Sequence, residues 1–276
     1  MHPCVLTSCR WRGSNARSVP VVTDLAAITE RLWQAREQGD FSPDWLVGQI
    51  DLDAALDLQL AMLERKLADG ASLGGWKVGL TSQRARTMLG ADERPFGHVL
   101  ADRIIASGAT LAFEEIRHPS VEPEMCFAIG SRLAGASISR EEVVAGLTLA
   151  GAGFEINEQR QGSARADFPT MVTDCLTNWA IVAGSGKAPA EAGNLNDVTV
   201  RFERNGEEVF RCLGRDEVDD PIESLRRLVG VLHAHGAALE PGQRVITGAY
   251  HRLEVSPGDT FRAIFEPIGH VEVSFR

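Results

Sequence analysis

Glu122 and Glu124 stand two residues apart in the run SVEPEMCFAI, which has the composition of a strand. Side chains two apart on a strand project from one face, so these carboxylates repel unless they are solvated or a cation lies between them. Pro123 removes a ladder donor and points to an edge or a bulge. A third carboxylate, Glu155, sits in GAGFEIN among small residues that permit close approach. Three carboxylate oxygens suit a hard cation such as Mg²⁺ or Mn²⁺, with positions left for water and a chelating substrate. Spacing alone fits a solvated strand face and a surface charge at least as well.

Lys77 lies in GGWKVGLTS, an apolar strand-like run. Desolvation there lowers a lysine pKa and suits it to proton transfer, although an ordinary strand lysine with its ammonium in water fits equally. Asp174 and Thr177 occupy a polar break between Met171 and Trp179 and by themselves indicate nothing. His98, His118, His251 and His270 show no ligand spacing. GxSxG, GxGxxG and Walker-type loops do not occur, which removes the usual serine-hydrolase and nucleotide signals.

The elements that must carry these residues are mostly strands. WKVGL, ATLAF, VEPEMCFAI, GAGFEI, WAIVAG, VTVRF, EVFRCL, RVITG, DTFRAIF and HVEVSF follow one another from Gly74 onward. Asn205-Gly206 between two alternating runs marks a hairpin, and Ser256-Pro257-Gly258-Asp259 a further turn. Helices are expected over 24–38 behind Asp24, with Leu25, Ile28, Leu32 and Trp33 inward, and over 53–69, with Leu56, Leu60, Leu63 and Leu67 on one face. Others follow Ser82, follow the capping box Ser139/Glu142 as far as about Leu149, and run from Asp220-Pro221 to Gly236. Few, scattered helices argue against a doubly wound parallel sheet. The expectation is an α+β fold: a mixed β-sheet of roll or sandwich type with peripheral helices. Residues 21–73 form a small N-terminal helical lobe and 74–276 the catalytic domain.

With 276 residues, 44% of them hydrophobic, the chain can build a sizeable core. No apolar run nears the ~20 residues of a membrane span, and no apolar h-region follows the early arginines, so a soluble cytoplasmic protein is expected. A net charge of −10 disfavours nucleic acid and anionic membrane as partners. Five scattered cysteines contain no CxxC pair and fit reduced thiols, with Cys126 and Cys212 in strand-like core runs. Residues 1–20 hold three arginines, Cys4 and Cys9 but no acid, and read as a flexible extension.

WKVGLTS, PFG, HPSVEPEMCF, FEIN, ITG, SPGDTFRAIF and GHVEVSF, in this order, resemble the 2-keto-4-pentenoate hydratase and 4-oxalocrotonate decarboxylase branch of the fumarylacetoacetate hydrolase superfamily. The resemblance runs from about Trp76 to the C-terminus and takes in the helical lobe. It implies that fold, a homo-oligomer, and Glu122, Glu124 and Glu155 as ligands of Mg²⁺ or Mn²⁺. It implies Lys77 as the proton-moving lysine, with Asp174 and Thr177 on an Ala-Asp-Asn motif and its nearby serine. Arg160 falls on an arginine after the metal-binding glutamate, and Thr247-Gly248 on a pair that lines the pocket. Such a site stabilises an enolate of a chelated 2-oxo acid, from which water addition, loss of CO₂ or C–C cleavage can follow.

Some positions depart from the branch. Pro95 replaces the aspartate that hydratases carry before Phe-Gly and is nearer the apolar residue of decarboxylases. Thr173-Asp174-Cys175 replaces Ala-Asp-Asn. Ala249, Tyr250 and His251 replace the hydratase residues after Thr-Gly, which makes Tyr250 and His251 candidate substrate contacts. The leading expectation is a metal-dependent lyase of hydratase type acting on a small anionic 2-oxo-enoic or 2-hydroxydienoic acid. Decarboxylation of a 2-oxo diacid is the alternative, and Pro95 tilts toward it. An acylpyruvate C–C hydrolase needs a histidine base in the N-terminal lobe, and residues 21–75 contain no histidine. A non-catalytic binding protein on the same scaffold is the reading from another class.

Overall fold

The computed structural model describes residues 24–39, 43–89, 94–160 and 167–276. The expected extension over 1–20, with Cys4 and Cys9, lies outside the described residues. The helices are α1 (Leu25–Glu37), α2 (Leu52–Ala68), α3 (Gln83–Leu89), α4 (Arg140–Ala145), α5 (Phe168–Thr173), α6 (Gly214–Glu217) and α7 (Pro221–Ala234). The first strands in the chain are β1 (Leu73–Val78), β2 (Phe96–Leu100), β3 (Ile104–Ala106), β4 (Ala109–Leu111), β5 (Pro119–Ile129), β6 (Leu147–Glu158) and β7 (Asn178–Lys187). They are followed by β8 (Thr199–Arg204), β9 (Glu207–Leu213), β10 (Arg244–Ala249), β11 (Leu253–Glu254), β12 (Thr260–Glu266) and β13 (Gly269–Phe275).

Eight strands form one sheet in the order β2-β1-β10-β5-β6-β7-β3, with β11 also paired to β5. The other sheet runs β4-β13-β12-β8-β9. Pairs β1/β10, β3/β7 and β4/β13 are parallel and the rest antiparallel, so both sheets are mixed and the fold is α+β, as expected. One face of the large sheet packs on the small one through aromatic rings. Phe154 of β6 meets Phe202 of β8 at 5.7 Å between centroids, and Phe202 stacks on Phe261 of β12 at 5.8 Å. Each such buried ring stabilises the fold by about 1.5–3 kcal/mol.

Because side chains alternate along a strand, the residues between these rings face the other way. Val121, Pro123, Met125 and Phe127 alternate in β5 with Ser120, Glu122, Glu124 and Cys126. A small buried cluster of Val99, Cys126, Ile181 and Ile246 floors that second face. Burial pushes the Cys126 thiol up to about 12, which fits its expected place in the core. Cys212, on the edge strand β9, is only partly buried.

Local signals set many element ends. Asp24 and Asp51 cap α1 and α2 by accepting from Ala27 N and Ala54 N. Asp220 caps α7, and Ile222, Leu225, Leu228 and Leu232 are its buried stripe, as their spacing predicts. Asn205 and Gly206 both take positive φ, 54° and 83°, as a two-residue primed hairpin turn requires. Gln59 of α2 is wholly buried and donates to Phe96 O and Val172 O, which ties the N-terminal helices to β2 and α5.

Three expectations are corrected, and one strand joins the sheet that was not expected. Leu67 is 38% exposed, because α2 buries the stripe Ala55, Leu58, Gln59 and Met62 beside Leu56 and Leu63. Helix α4 ends at Ala145 rather than near Leu149: Gly146 closes it, and Leu147 already belongs to β6. The run FGHVL is a strand, β2, that apolar periodicity did not single out. Of the edge or bulge expected at Pro123 the edge is absent, since β5 lies between β6 and the β10/β11 side, while a bulge in the β10 pairing adjoins it. Its missing N–H falls where β10 ends, opposite Glu124, and before β11 begins, opposite Val121.

Candidate active site

Strands β5 and β6 pair in a register that sets Glu122 opposite Glu155, with Glu124 two residues on along the same face. One oxygen from each of the three carboxyl groups lies within 4.8 Å of the others. All three are buried. Burial, reinforced by the neighbouring Glu155 charge, raises the Glu122 carboxyl to about 7 and lifts Glu124 well above the usual carboxylate range. Burial acts on Glu155 too, but there the Lys77 charge and hydrogen bonds outweigh it and the net direction is down.

Lys77 projects from β1 onto this face, its Nζ 2.8 Å from Glu155 Oε1 and 3.3 Å from the carbonyl oxygen of Leu176, to which it donates. Desolvation pulls its pKa down, as expected from sequence, but Glu155, Glu122 and Glu124 reverse the sign and hold the ammonium charged. Three buried acids and one lysine leave surplus negative charge, and that donor set of hard oxygens fits a divalent cation. Among the described residues no other group of three His, Cys, Asp or Glu side chains converges in this way.

A bulge completes the site. Between Ile246 and Ala249 strand β10 spends one residue more than β5, and Gly248 takes φ +122°. Its N–H, turned inward, donates to Glu124 Oε2 at 2.5 Å. The resulting cavity, of 180 Å³, is lined by these acids, Lys77 and Gly248, and walled by Leu80, Thr81, Ser82, Ala85, Val218 and Ala249. Pro95 stands one layer behind: its carbonyl accepts from the N–H of Gly79, a lining residue.

The other expected site residues surround rather than line the cavity. Asp174 is paired with Arg36 at 2.8 Å and Arg160 at 2.9 Å. Arg160 also binds Glu158 and donates to the carbonyls of Asp174 and Asn178; burial opposes its charge, and Asp174 and Glu158 more than restore it. Thr177 Oγ1 donates to Asn157 Oδ1 at 3.0 Å. Between Asp174 and Asn178, three consecutive residues, Cys175, Leu176 and Thr177, hold φ of 55°, 55° and 67°. Such left-handed conformations cost non-glycine residues about 1–2 kcal/mol each, and here they present the Leu176 carbonyl to Lys77. Thr247 is buried, with no partner for its hydroxyl among the described residues. Tyr250 is buried against Phe265, and burial drives its phenol pKa far up. His251 stacks on Phe210 at 4.2 Å.

Sequence reasoning missed two groups that touch the acids. Asn178 Nδ2 donates to Glu155 Oε1 at 2.8 Å, and Arg252 Nη1 lies 3.4 Å from Glu122 Oε1. Asn178 directly follows Thr177 at the head of a strand, the only signal it offered. His98 likewise has a specific setting, with Lys66 Nζ 2.9 Å from Nε2 and Cys175 Sγ 3.4 Å from Nδ1.

No protein-family model matches the chain. The TodF product hydratase of Pseudomonas putida is 27% identical over 235 residues, 83% of this chain and 86% of that protein. Other curated relatives are 2-keto-4-pentenoate hydratases and 4-oxalocrotonate decarboxylases. The structure of 4-oxalocrotonate decarboxylase from Pseudomonas putida G7, complexed with magnesium and adipate, superposes with a TM-score of 0.81 at 23% identity, covering 92% of this chain and 97% of that one. The chain is thus similar in sequence to 2-keto-4-pentenoate hydratases and 4-oxalocrotonate decarboxylases and shares the fold of the decarboxylase. The fold is also shared with fumarylpyruvate hydrolase from Pseudomonas aeruginosa in complex with Mn²⁺ and pyruvate. That structure has a TM-score of 0.55 and 18% identity, over 74% of this chain and 89% of that one. Among the described residues, no helix is long and apolar enough to cross a membrane.

Proposed function

We propose that this protein is a divalent-metal-dependent lyase that adds water to a small 2-oxo-enoic or 2-hydroxydienoic acid. The observation that carries this reading is the juxtaposition, in one cavity, of three buried carboxylates with Lys77 at 2.8 Å from Glu155. Glu122, Glu124 and Glu155 would hold Mg²⁺ or Mn²⁺. A divalent cation bound there supplies Lewis acidity toward the 2-oxo acid end of the substrate.

Lys77 is the catalytic residue that holds and moves the proton at the reacting carbon, and Glu155 fixes where its ammonium stands. Asn178 holds Glu155, and the Gly248 N–H holds Glu124. Asp174, Thr177 and Arg160 act as positioning residues, keeping the left-handed turn that offers Leu176 O to Lys77. Thr247 and Gly248 shape the cavity through the bulge, and Tyr250 and His251 support the segment beyond it. A cytoplasmic homo-oligomer is part of the same reading.

Decarboxylation of a 2-oxo diacid is the second reading, favoured by Pro95 behind Gly79 and by the likeness in fold to a decarboxylase. The test is product mass after incubation with Mg²⁺ and a panel of short 2-oxo-enoic mono- and diacids, with an EDTA control. Metal-dependent gain of water establishes the hydratase and loss of CO₂ the decarboxylase. No mass change across the panel would overturn both.

A further inference from the structure

We propose that Arg252 is a specificity-determining residue that receives a second carboxylate, at the end of the substrate remote from its 2-oxo acid group. The proposal rests on the lyase reading and names the class of acid that the site prefers.

The contact with Glu122 carries it. Leu253 pairs with Val121 and Glu254 with Ser120, and Arg252 directly precedes this paired stretch. Its contact with Glu122 sets Arg252 beside the face that bears the acids. Its guanidinium lies 3.4 Å from Oε1 of Glu122, one of the acids that line the cavity, while its side chain stays 52% exposed.

The surrounding cations are committed elsewhere. Lys77 is buried against Glu155. Arg86 and Arg94 share the Asp219 carboxylate behind Leu80 and Thr81. Arg160 is enclosed by Asp174 and Glu158. Among the described residues, only Arg252 combines contact with a cavity acid and exposure.

Charge explains why a diacid needs it. The cavity is lined by one lysine and three glutamates, in a chain of net charge −10. A bound divalent cation balances that lining, and the 2-oxo acid end of the substrate then adds its own negative charge. Among the described residues, the exposed cation in reach of a second carboxylate is Arg252, whose planar fork matches a carboxylate bidentately. A methyl-ended tail gains nothing from it.

The test uses two saturated six-carbon acids that differ only at the remote end, 2-oxoadipate and 2-oxohexanoate, with oxalate as a short chelator. Affinities are measured by calorimetry with Mn²⁺ for the wild type, Arg252→Met and Arg252→Lys. The expected result is a wild-type preference for 2-oxoadipate that drops about tenfold in Arg252→Met and partly returns in Arg252→Lys, with oxalate and 2-oxohexanoate unchanged. Equal wild-type affinity for the two oxo acids overturns the proposal. So does a parallel loss of all three ligands in Arg252→Met, which would make Arg252 a support for Glu122 alone. If the wild type binds neither oxalate nor either oxo acid, the lyase reading falls and the proposal with it.

Discussion

Lys77 Nζ and Glu155 Oε1 stand 2.8 Å apart in a fully buried pair, and Asn178 Nδ2 donates to that same oxygen from 2.8 Å. One carboxylate oxygen of Glu155 thus faces two protein donors. An ion pair so deeply buried is costly to form and costlier to break on one side, about 3–5 kcal/mol when a partner is removed. That cost is borne where chemistry needs a fixed ammonium.

Lys77→Met is therefore expected to reduce kcat at least about 100-fold while Mn²⁺ still binds. Steady-state kinetics beside Mn²⁺ titration would check both parts. Retained turnover would remove Lys77 from the reaction.

The three acids should behave as ligands. Glu124→Gln and Glu155→Gln keep the side-chain shape but lose a charge, and each is expected to weaken Mn²⁺ binding by well over tenfold. Calorimetry on EDTA-stripped protein measures this directly. Affinity equal to wild type in either variant would contradict the assignment.

Asn178 touches a ligand rather than a cation. Asn178→Ala is expected to lower metal affinity about 10–100-fold, as loss of a group that orients a ligand commonly does. Thermal denaturation of the metal-free protein should change little by comparison, since that separates orientation from folding.

Gly248 has no room for a side chain. A Cβ there would lie 1.8 Å from Thr81 Oγ1, at a φ of +122° that side chains avoid. Gly248→Ala is expected to cost about 1–3 kcal/mol of stability and to displace the N–H that holds Glu124. Adding Thr81→Ala should recover only part of the loss, because the backbone strain remains. Full recovery in the double variant would show that the clash alone mattered.

His98 gives the protein an acid-sensitive core. Burial first, then the charges of Lys66, Arg36 and Arg160, drive its folded pKa well below the ordinary 6.5. The unfolded chain thus takes up a proton on this ring at a pH where the native state does not. The contribution to stability is full above pH 6.5 and is lost as pH falls from there toward the native value. His98→Gln should flatten that part of the profile in urea melts between pH 7.5 and 5. An unchanged slope would assign the acid lability to other groups.

The sequence alone held the strand character of 121–129 and 151–156, the Asn205-Gly206 hairpin, the capped helix at Asp220 and the three acids with their lysine. These are local matters of alternation, turn chemistry and capping, decided within a few residues. It could not hold the register that sets Glu122 opposite Glu155, nor bring Lys77 from β1 across β10 to them. Arg252 and Asn178 gained their roles the same way, through pairing across strands and hydrogen bonding between elements. The sign of the Lys77 pKa shift was likewise a tertiary matter. A lone lysine in an apolar strand is pushed toward neutrality, and only the assembled acids reverse that. Leu67 and the end of α4 were decided by which surface the sheet covered and by where β6 had to begin. Spacing names the groups that can do chemistry; the free energy that decides among their arrangements comes from charges and surfaces far apart in the chain.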